Sequence, residues 1–297
     1  MWCSLVIATR NRAAQLARSL AALPMAEIAQ ERVQVIVVDN ASTDRTAAVI
    51  DAFADRSSGI LRRVDAPDPG LSRARNAGIA AASGEIIVFT DDDCRIRAGY
   101  FPALRKRLHG TAIHYGSGQI LPHSPDDDPR VATRRLGRFR TIPPRTAVPP
   151  GWVQGANMFF SAAVFRRAGT FDVDLGAGTP FPCEDIEMAT RASFAGFLGA
   201  LLPELEVVHA HGRRRGSAAA QATAEAYDRG RGAYIAKLLA EDIEEAWALW
   251  RRGFPRRSAD PAGELARFGR ELSGALAYVE RRLAGGTRAD RTGGTGR

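Results

Sequence analysis

The feature that most narrows the fold of this chain is an alternation. Short runs rich in β-branched residues are each stopped by a polar turn and followed by a helix-spaced stretch. Residues 5–8 (Leu-Val-Ile-Ala) end in Thr9-Arg10-Asn11-Arg12, after which Leu16, Leu20 and Leu23 share one helical face. Residues 33–38 (Val-Gln-Val-Ile-Val-Val) stop at Asp39-Asn40-Ala41-Ser42-Thr43-Asp44, where Ser42 or Asp44 can cap a helix running through Phe53. Residues 61–64 make a weaker third run, and residues 86–89 (Ile-Ile-Val-Phe) lead through Thr90 into Asp91-Asp92-Asp93. This spacing predicts βαβ units on a parallel sheet. Ligands of such sheets bind beyond the carboxyl ends of the strands, so the turns at 9–12, 39–44 and 91–93 are expected to converge on one edge.

A strand needs one Asp or Asn to stop, not three. A lone acidic triplet is usually a solvated turn, but three adjacent carboxylates repel one another, and an oxygen-only cluster suits Mg²⁺ or Mn²⁺. Nicotinamide and flavin chemistry is disfavoured, because the first βα turn lacks the glycines of GxGxxG. No GxxxxGK[ST] phosphate loop occurs either.

The formal charge of +8 is carried by arginine, with Lys106 and Lys237 the only lysines. It permits acidic partners without choosing among nucleotide phosphates, nucleic acid and an anionic membrane. Cys3, Cys94 and Cys183 are scattered, which fits neither a disulfide framework nor a zinc site and suits a reducing compartment. No apolar run approaches membrane-spanning length and no leader pattern opens the chain, so a cytoplasmic location is expected.

Pro69-Gly70 reads as a turn and Ser72 as a helix cap. Arg73 and Arg75 then oppose the helix dipole unless they face an anion such as phosphate. With this block the chain resembles glycosyltransferase family 2, nucleotide-sugar transferases of the GT-A fold. The likeness rests on residues 6–12, Val37-Val38-Asp39-Asn40-Ala41-Ser42-Thr43-Asp44, Gly70-Leu71-Ser72-Arg73-Ala74-Arg75-Asn76-Ala77-Gly78 and Phe89-Thr90-Asp91-Asp92-Asp93, in that order. It continues through Gly155-Ala156-Asn157-Met158, Gly169-Thr170-Phe171-Asp172, Cys183-Glu184-Asp185-Ile186-Glu187 and Val207-Val208-His209-Ala210-His211, covering roughly residues 3–212.

The resemblance implies a Rossmann-like mixed α/β sheet flanked by helices, over residues 1–212, and a metal-dependent, inverting sugar transfer. The donor would be a nucleotide diphosphate-sugar, UDP-sugar favoured, and the acceptor a hydroxyl on a glycan, lipid-linked molecule or small molecule. Asp39 would contact base or ribose with Thr9 and Arg12 beside it, Arg75 would approach the diphosphate, and Asp91 and Asp92 would support the donor. Asp93 and His209 would hold Mn²⁺ or Mg²⁺, with Asp92 the alternative ligand because an extra Asp precedes the third position. Thr90 departs from the family's usual leucine. Asp185, second acid of its pair, would be the catalytic base, ionised without an elevated pKa because a helix N-terminus favours carboxylates. Trp152, Asn157 and Glu184 are acceptor-side candidates.

The residues between these blocks carry their own expectations. Residues 111–151 lose periodicity apart from a strand near 113–120, and Arg134, Arg135, Arg138, Arg140 and Arg145 make them basic. A strand is expected over 152–160, a flexible loop over 176–182 and a helix from Pro182. From Arg213 the chain turns helical over 218–239, 243–252 and 262–283, with 17 Lys and Arg against 11 Asp and Glu from Arg213 to the end. This segment, 213–284, is expected to support the catalytic domain without taking part in donor binding. Trp247, Trp250 and Phe254 leave a membrane-surface seat as the alternative. A disordered tail is expected over 285–297.

No nucleic-acid partner is expected. A nucleotidyltransferase would want a Lys- and Gly-rich loop after the first strand, which is absent. A non-catalytic sugar-nucleotide or polyanion binder remains the rival from another class.

Overall fold

The computed structural model describes residues 1–253 and 259–292. The first part of the chain runs β1 (Cys3–Thr9), α1 (Ala13–Ala21), α2 (Met25–Gln30), β2 (Val33–Asp39), α3 (Thr46–Arg56), β3 (Leu61–Asp65), α4 (Leu71–Ala81) and β4 (Ile86–Asp91). It continues through β5 (Cys94–Ile96), α5 (Tyr100–Leu108), β6 (Ile113–Pro122), β7 (Arg140–Ile142), a 3₁₀ turn at Gly155–Asn157 and β8 (Met158–Ser161). Then follow α6 (Ala162–Ala168), α7 (Glu184–Phe194), β9 (Leu198–His209), α8 (Ala218–Glu241), α9 (Ile243–Arg252) and α10 (Pro261–Thr292).

The strands form one nine-stranded sheet in the order β3-β2-β1-β4-β8-β6-β9-β5, with β7 also paired to β9. The first four in sequence are parallel, as the βαβ spacing requires. The sheet turns mixed at β8, which runs antiparallel to both β4 and β6. Alternation within each run decides the layers. Leu5, Ile7, Val35, Val37 and Val88 pack under α1, α3 and α5, while Val6, Ile36, Val38, Ile87 and Phe89 face α4, α6 and α7. Both faces are covered, which explains why these strands read as unbroken apolar runs.

Four local expectations are corrected. The strand foreseen over 152–160 starts only at Met158, because Thr90 donates from Oγ1 to the Ala156 carbonyl (2.8 Å) and pins a 3₁₀ turn there. Ser72 does not cap α4; it is buried and donates to the Leu175 carbonyl (2.6 Å). The stretch 111–151 is less irregular than its composition suggests, holding β6, β7 and a bridge between Ile120 and Arg134. Helix α10 continues through Gly285 to Thr292, where a disordered tail is expected. Phe254 and residues 293–297 lie outside the described residues.

The C-terminal helices share a third core with residues 147–186: Tyr234, Ile235 and Leu238 of α8 meet Leu175, Phe181, Cys183 and Ile186. Trp250 stacks on Phe268, whereas Trp247 stays exposed beside Ile243. No helix among the described residues is long and apolar enough to cross a membrane.

Candidate active site

Strand register assembles the site. Thr9 pairs with Asp39 and Ala8 with Asp91, so the carboxyl ends of β1, β2 and β4 finish level. The Asp triplet then turns into β5, whose Cys94 lies opposite His209 at the end of β9. That antiparallel pairing, closed by the Ala210 amide donating to the Asp93 carbonyl (2.8 Å), brings together Asp93 and His209, 116 positions apart in the chain.

The three aspartates meet different fates. Asp93 Oδ1 faces His209 Nε2 at 3.0 Å and its Oδ2 accepts from Arg12 Nη2 at 2.8 Å, contacts that hold its carboxyl far below the usual range against burial. Asp92 accepts from Thr9 Oγ1 at 2.6 Å and meets Arg12 Nη1 at 3.2 Å, yet burial still pushes it up to about 6. Burial also pushes Asp91 up, opposed by Arg75 at 3.3 Å.

The donor set is suited to a hard divalent cation. Ligand atoms of Asp91, Asp93, Cys94 and His209 lie within 4.8 Å of one another, and Asp92 is outside this group. His209 Nδ1 donates to the Ala132 carbonyl (3.2 Å), which aims Nε2 at Asp93. A ligand histidine oriented by a backbone carbonyl is the usual outer-sphere arrangement. Burial raises the Cys94 thiol well above its ordinary pKa, so the hard donors are the carboxylates and the imidazole.

A second pair of acids opens α7. Glu184 accepts from Arg75 in a buried ion pair, and the Arg75 guanidinium also lies over the Phe171 ring. Asp185 receives the amides of Gly155 (2.9 Å, to Oδ2) and Ile186 (2.8 Å, to Oδ1). Gly155 is required by close approach: a Cβ there would stand 2.3 Å from Arg75 Nη2. Despite the helix N-terminus, Asp185 is pushed up to about 7, first by burial and then by the charge of Glu184. The expectation of an unshifted carboxylate is therefore overturned, because the dipole and the two amides are outweighed.

Both acid groups line one cavity of about 730 Å³. Thr9, Arg12, Arg75, Asp91, Asp92, Asp93, Glu184, Asp185 and His209 all reach it. Asp39 does not; its Oδ1 accepts from the Ser42 amide (3.1 Å), and the neighbouring Asn40 lines the wall instead. Arg75 lines the wall, where it pairs with Asp91 and Glu184. Asn157 falls outside the cavity, fully buried with its amide on the Gln119 and Leu205 carbonyls and its oxygen accepting from Tyr100. Trp152 also falls outside and lines a separate cleft.

Arg213, Tyr227 and Arg231 complete the wall, although the segment after Arg213 is expected to stand apart from the donor side. The overlooked signal is Gly230, a poor helix residue that α8 tolerates because a Cβ would meet the Pro182 carbonyl oxygen at 2.4 Å. His211, just past β9, is buried. Its Nδ1 accepts from the Arg213 amide (3.0 Å), and its Nε2 has no hydrogen-bond partner among the described residues.

The comparisons with known proteins bear on the family and the fold. The family model for glycosyl transferase family 2 matches residues 4–169. Validoxylamine A glucosyltransferase of Streptomyces hygroscopicus subsp. jinggangensis is 32% identical over 217 residues, covering 63% of this chain and 50% of that protein. Glycosyltransferase AglE of Haloferax volcanii is 25% identical over 195 residues, 65% of this chain and 62% of its own length. The chain thus spans about half the length of the first of these relatives. Among solved structures, TarS of S. aureus in complex with UDP-GlcNAc superposes with a TM-score of 0.61 at 18% identity, over 95% of this chain and 83% of that one. A mannosyltransferase from Pyrobaculum calidifontis in complex with GDP-Man and Mn²⁺ gives 0.55 at 20% identity, over 95% and 75%. At such identities the structural likeness is one of fold. With more than half its length matched by a single family model, the chain belongs to glycosyl transferase family 2.

Proposed function

We propose that this protein transfers a glycosyl group, with inversion, from a nucleotide diphosphate-sugar to an acceptor hydroxyl, UDP being the favoured nucleotide. The observation that carries the reading is one cavity with an Asp93–His209 cluster in its wall together with the half-buried carboxyl of Asp185. The names of two structural neighbours, complexed with UDP-GlcNAc and with GDP-Man and Mn²⁺, support the donor class.

In this reading Thr9 and Arg12 fix Asp92 and Asp93, and Asn40 stands where Asp39 is expected to meet the nucleoside. Asp93 and His209, with Asp91 beside them, would hold Mn²⁺ or Mg²⁺, which offsets charge on the departing diphosphate. Asp185, steadied by the Gly155 amide, takes the acceptor proton as the hydroxyl attacks the anomeric carbon. Arg75 pairs with Glu184 and holds it out of that role.

The test is a thermal-shift series with UDP, GDP and ADP, each with and without Mn²⁺. A nucleotide diphosphate at 100 Kd should add about 2.7 kcal/mol, and Asp93→Ala should remove the metal-dependent part. No shift with any of them would end the donor-site reading.

We place the protein in the cytoplasm, where three buried free cysteines are at home. Exposed Ile243 and Trp247 on α9, with Arg251 and Arg252 closing that helix, support a seat on anionic lipid. Flotation with phosphatidylglycerol vesicles should carry the wild type and lose Trp247→Glu; a wild type left in the pellet removes the membrane role.

A further inference from the structure

A second cleft of about 440 Å³ is lined by Arg134, Arg135, Arg138, Arg140, Trp152 and Leu201 with Leu136 and Gly137, and no carboxylate is among them. The buried and half-buried arginines of the neighbouring fold are paired with acids, among them Arg12 with Asp92 and Asp93, Arg75 with Glu184, Arg191 with Glu187 and Arg231 with Glu271. Here two guanidinium groups lie over one indole, Arg134 at 5.9 Å and Arg140 at 5.1 Å from the Trp152 ring. Arg134 donates from Nη1 to the Gly151 carbonyl, while its buried Nε has no partner among the described residues. Packing like charges against one ring costs electrostatic energy that an anion between them would recover.

The position of this cleft indicates which anion. Arg134 lines both the cleft and the main cavity, so the two spaces share a wall. Trp152 is followed by Val153, Gln154 and Gly155, all three on the main cavity, and Gly155 gives its amide to Asp185. The donor diphosphate would meet its counter-charge in a cation held by Asp93 and His209, so a separate cationic recess adjoining the Asp185 side is left for the other substrate.

Building on the transferase reading above, we propose that the acceptor carries a phosphate group that seats between Arg134 and Arg140 on the Trp152 platform, while its hydroxyl reaches Asp185. The enzyme then glycosylates a phosphorylated acceptor, and the shared chemistry is the phosphate ester of a sugar that supplies the hydroxyl, whether that sugar is soluble or linked through its phosphate to a polyprenyl lipid.

The experiment uses the full chain saturated with UDP and Mn²⁺, so that added phosphate cannot enter the donor site. Binding of glucose 1-phosphate is measured by calorimetry, and binding of phosphatidylcholine vesicles doped with polyprenyl phosphate by flotation against undoped vesicles. The double variant Arg138→Ala/Arg140→Ala, which removes exposed side chains, should weaken the phosphate probe by about tenfold or more. Its response to UDP and Mn²⁺ should stay intact. Arg140→Lys should fall between, keeping the charge but losing the planar fork. Binding of the soluble probe alone assigns a soluble acceptor, and binding of the doped vesicles alone assigns a lipid one. Failure of both probes, or equal binding by the double variant, overturns the inference while leaving the donor reading standing. Failure of the UDP response overturns the donor reading itself.

Discussion

Two acidic groups share the cavity, and in each of them adjacent carboxyls are set apart by the partners that each receives. At the end of β4, Asp93 takes His209 and an Arg12 nitrogen and is held ionised, while Asp92 is pushed up to about 6. At the start of α7, Glu184 takes Arg75 while Asp185, with backbone amides only, is pushed up to about 7. Neighbouring acids in one buried site cannot all ionise cheaply, and His209 at one group and Arg75 at the other set the two acids of each apart. The first group can thereby hold a cation and the second can move a proton. The division is made by partners distant in sequence, not by the acids themselves.

The largest break in this comparison comes from Asp185→Asn. It keeps the shape and removes the proton acceptor, so turnover should fall by about 10²–10⁴, with the nucleotide- and Mn²⁺-dependent thermal shift retained. Single-turnover transfer assays check this. Retention within a few-fold of wild type would show that Asp185 is not the base. Next comes Glu184→Ala, which leaves Arg75 buried beside a vacated partner. Breaking a buried pair from one side costs about 3–5 kcal/mol, to be read from urea unfolding. Glu184→Gln, which keeps a hydrogen-bond acceptor, should cost less. If Glu184→Ala is neutral in stability while transfer disappears, the roles of the two acids are exchanged.

Much of the frame was legible because it depends on local pattern. The β-branched runs of β1, β2 and β4 carry their own period and stop signals, and their boundaries agree with the strands to within a few residues. The positions of Asp93 and His209 came from the resemblance, and the β5–β9 register supplies the physical reason that they meet. What stayed hidden depends on distant partners. Nothing near Arg75 in the sequence reports that Glu184, 109 residues away, will pair with it. Asn157 reads as a polar residue beside small ones, yet Tyr100, Gln119 and Leu205 enclose it. Burial outweighing the helix dipole at Asp185 likewise requires the cavity wall to be known. The wall residues of α8 could have been suspected from Gly230 and Gly232, since Gly232 too lies against backbone, its Cβ position 1.8 Å from the Glu271 carbonyl oxygen.

The smallest expected effect sharpens the comparison most directly, because it reads Asp185 without catalysis. Its carboxyl is raised to about 7 in the fold, whereas an unfolded aspartate titrates near about 3.9. Between those values the native state keeps a proton that the unfolded chain has lost. Stability therefore falls as pH rises through this window. Discounted for its partial exposure to the open cavity, the loss at neutral pH is about 1–3 kcal/mol. Asp185→Asn has no such proton to lose. Relative to wild type the variant should thus gain stability between about pH 4 and pH 7, and the difference should level off above that range. Urea unfolding of both proteins across the range, without metal or nucleotide, measures the difference directly. A difference that does not change with pH would mean that the Gly155 and Ile186 amides keep Asp185 at an ordinary value. Asp185 would then lack the raised pKa that marks it as the proton acceptor, and the separation of the two acids of α7 would not hold.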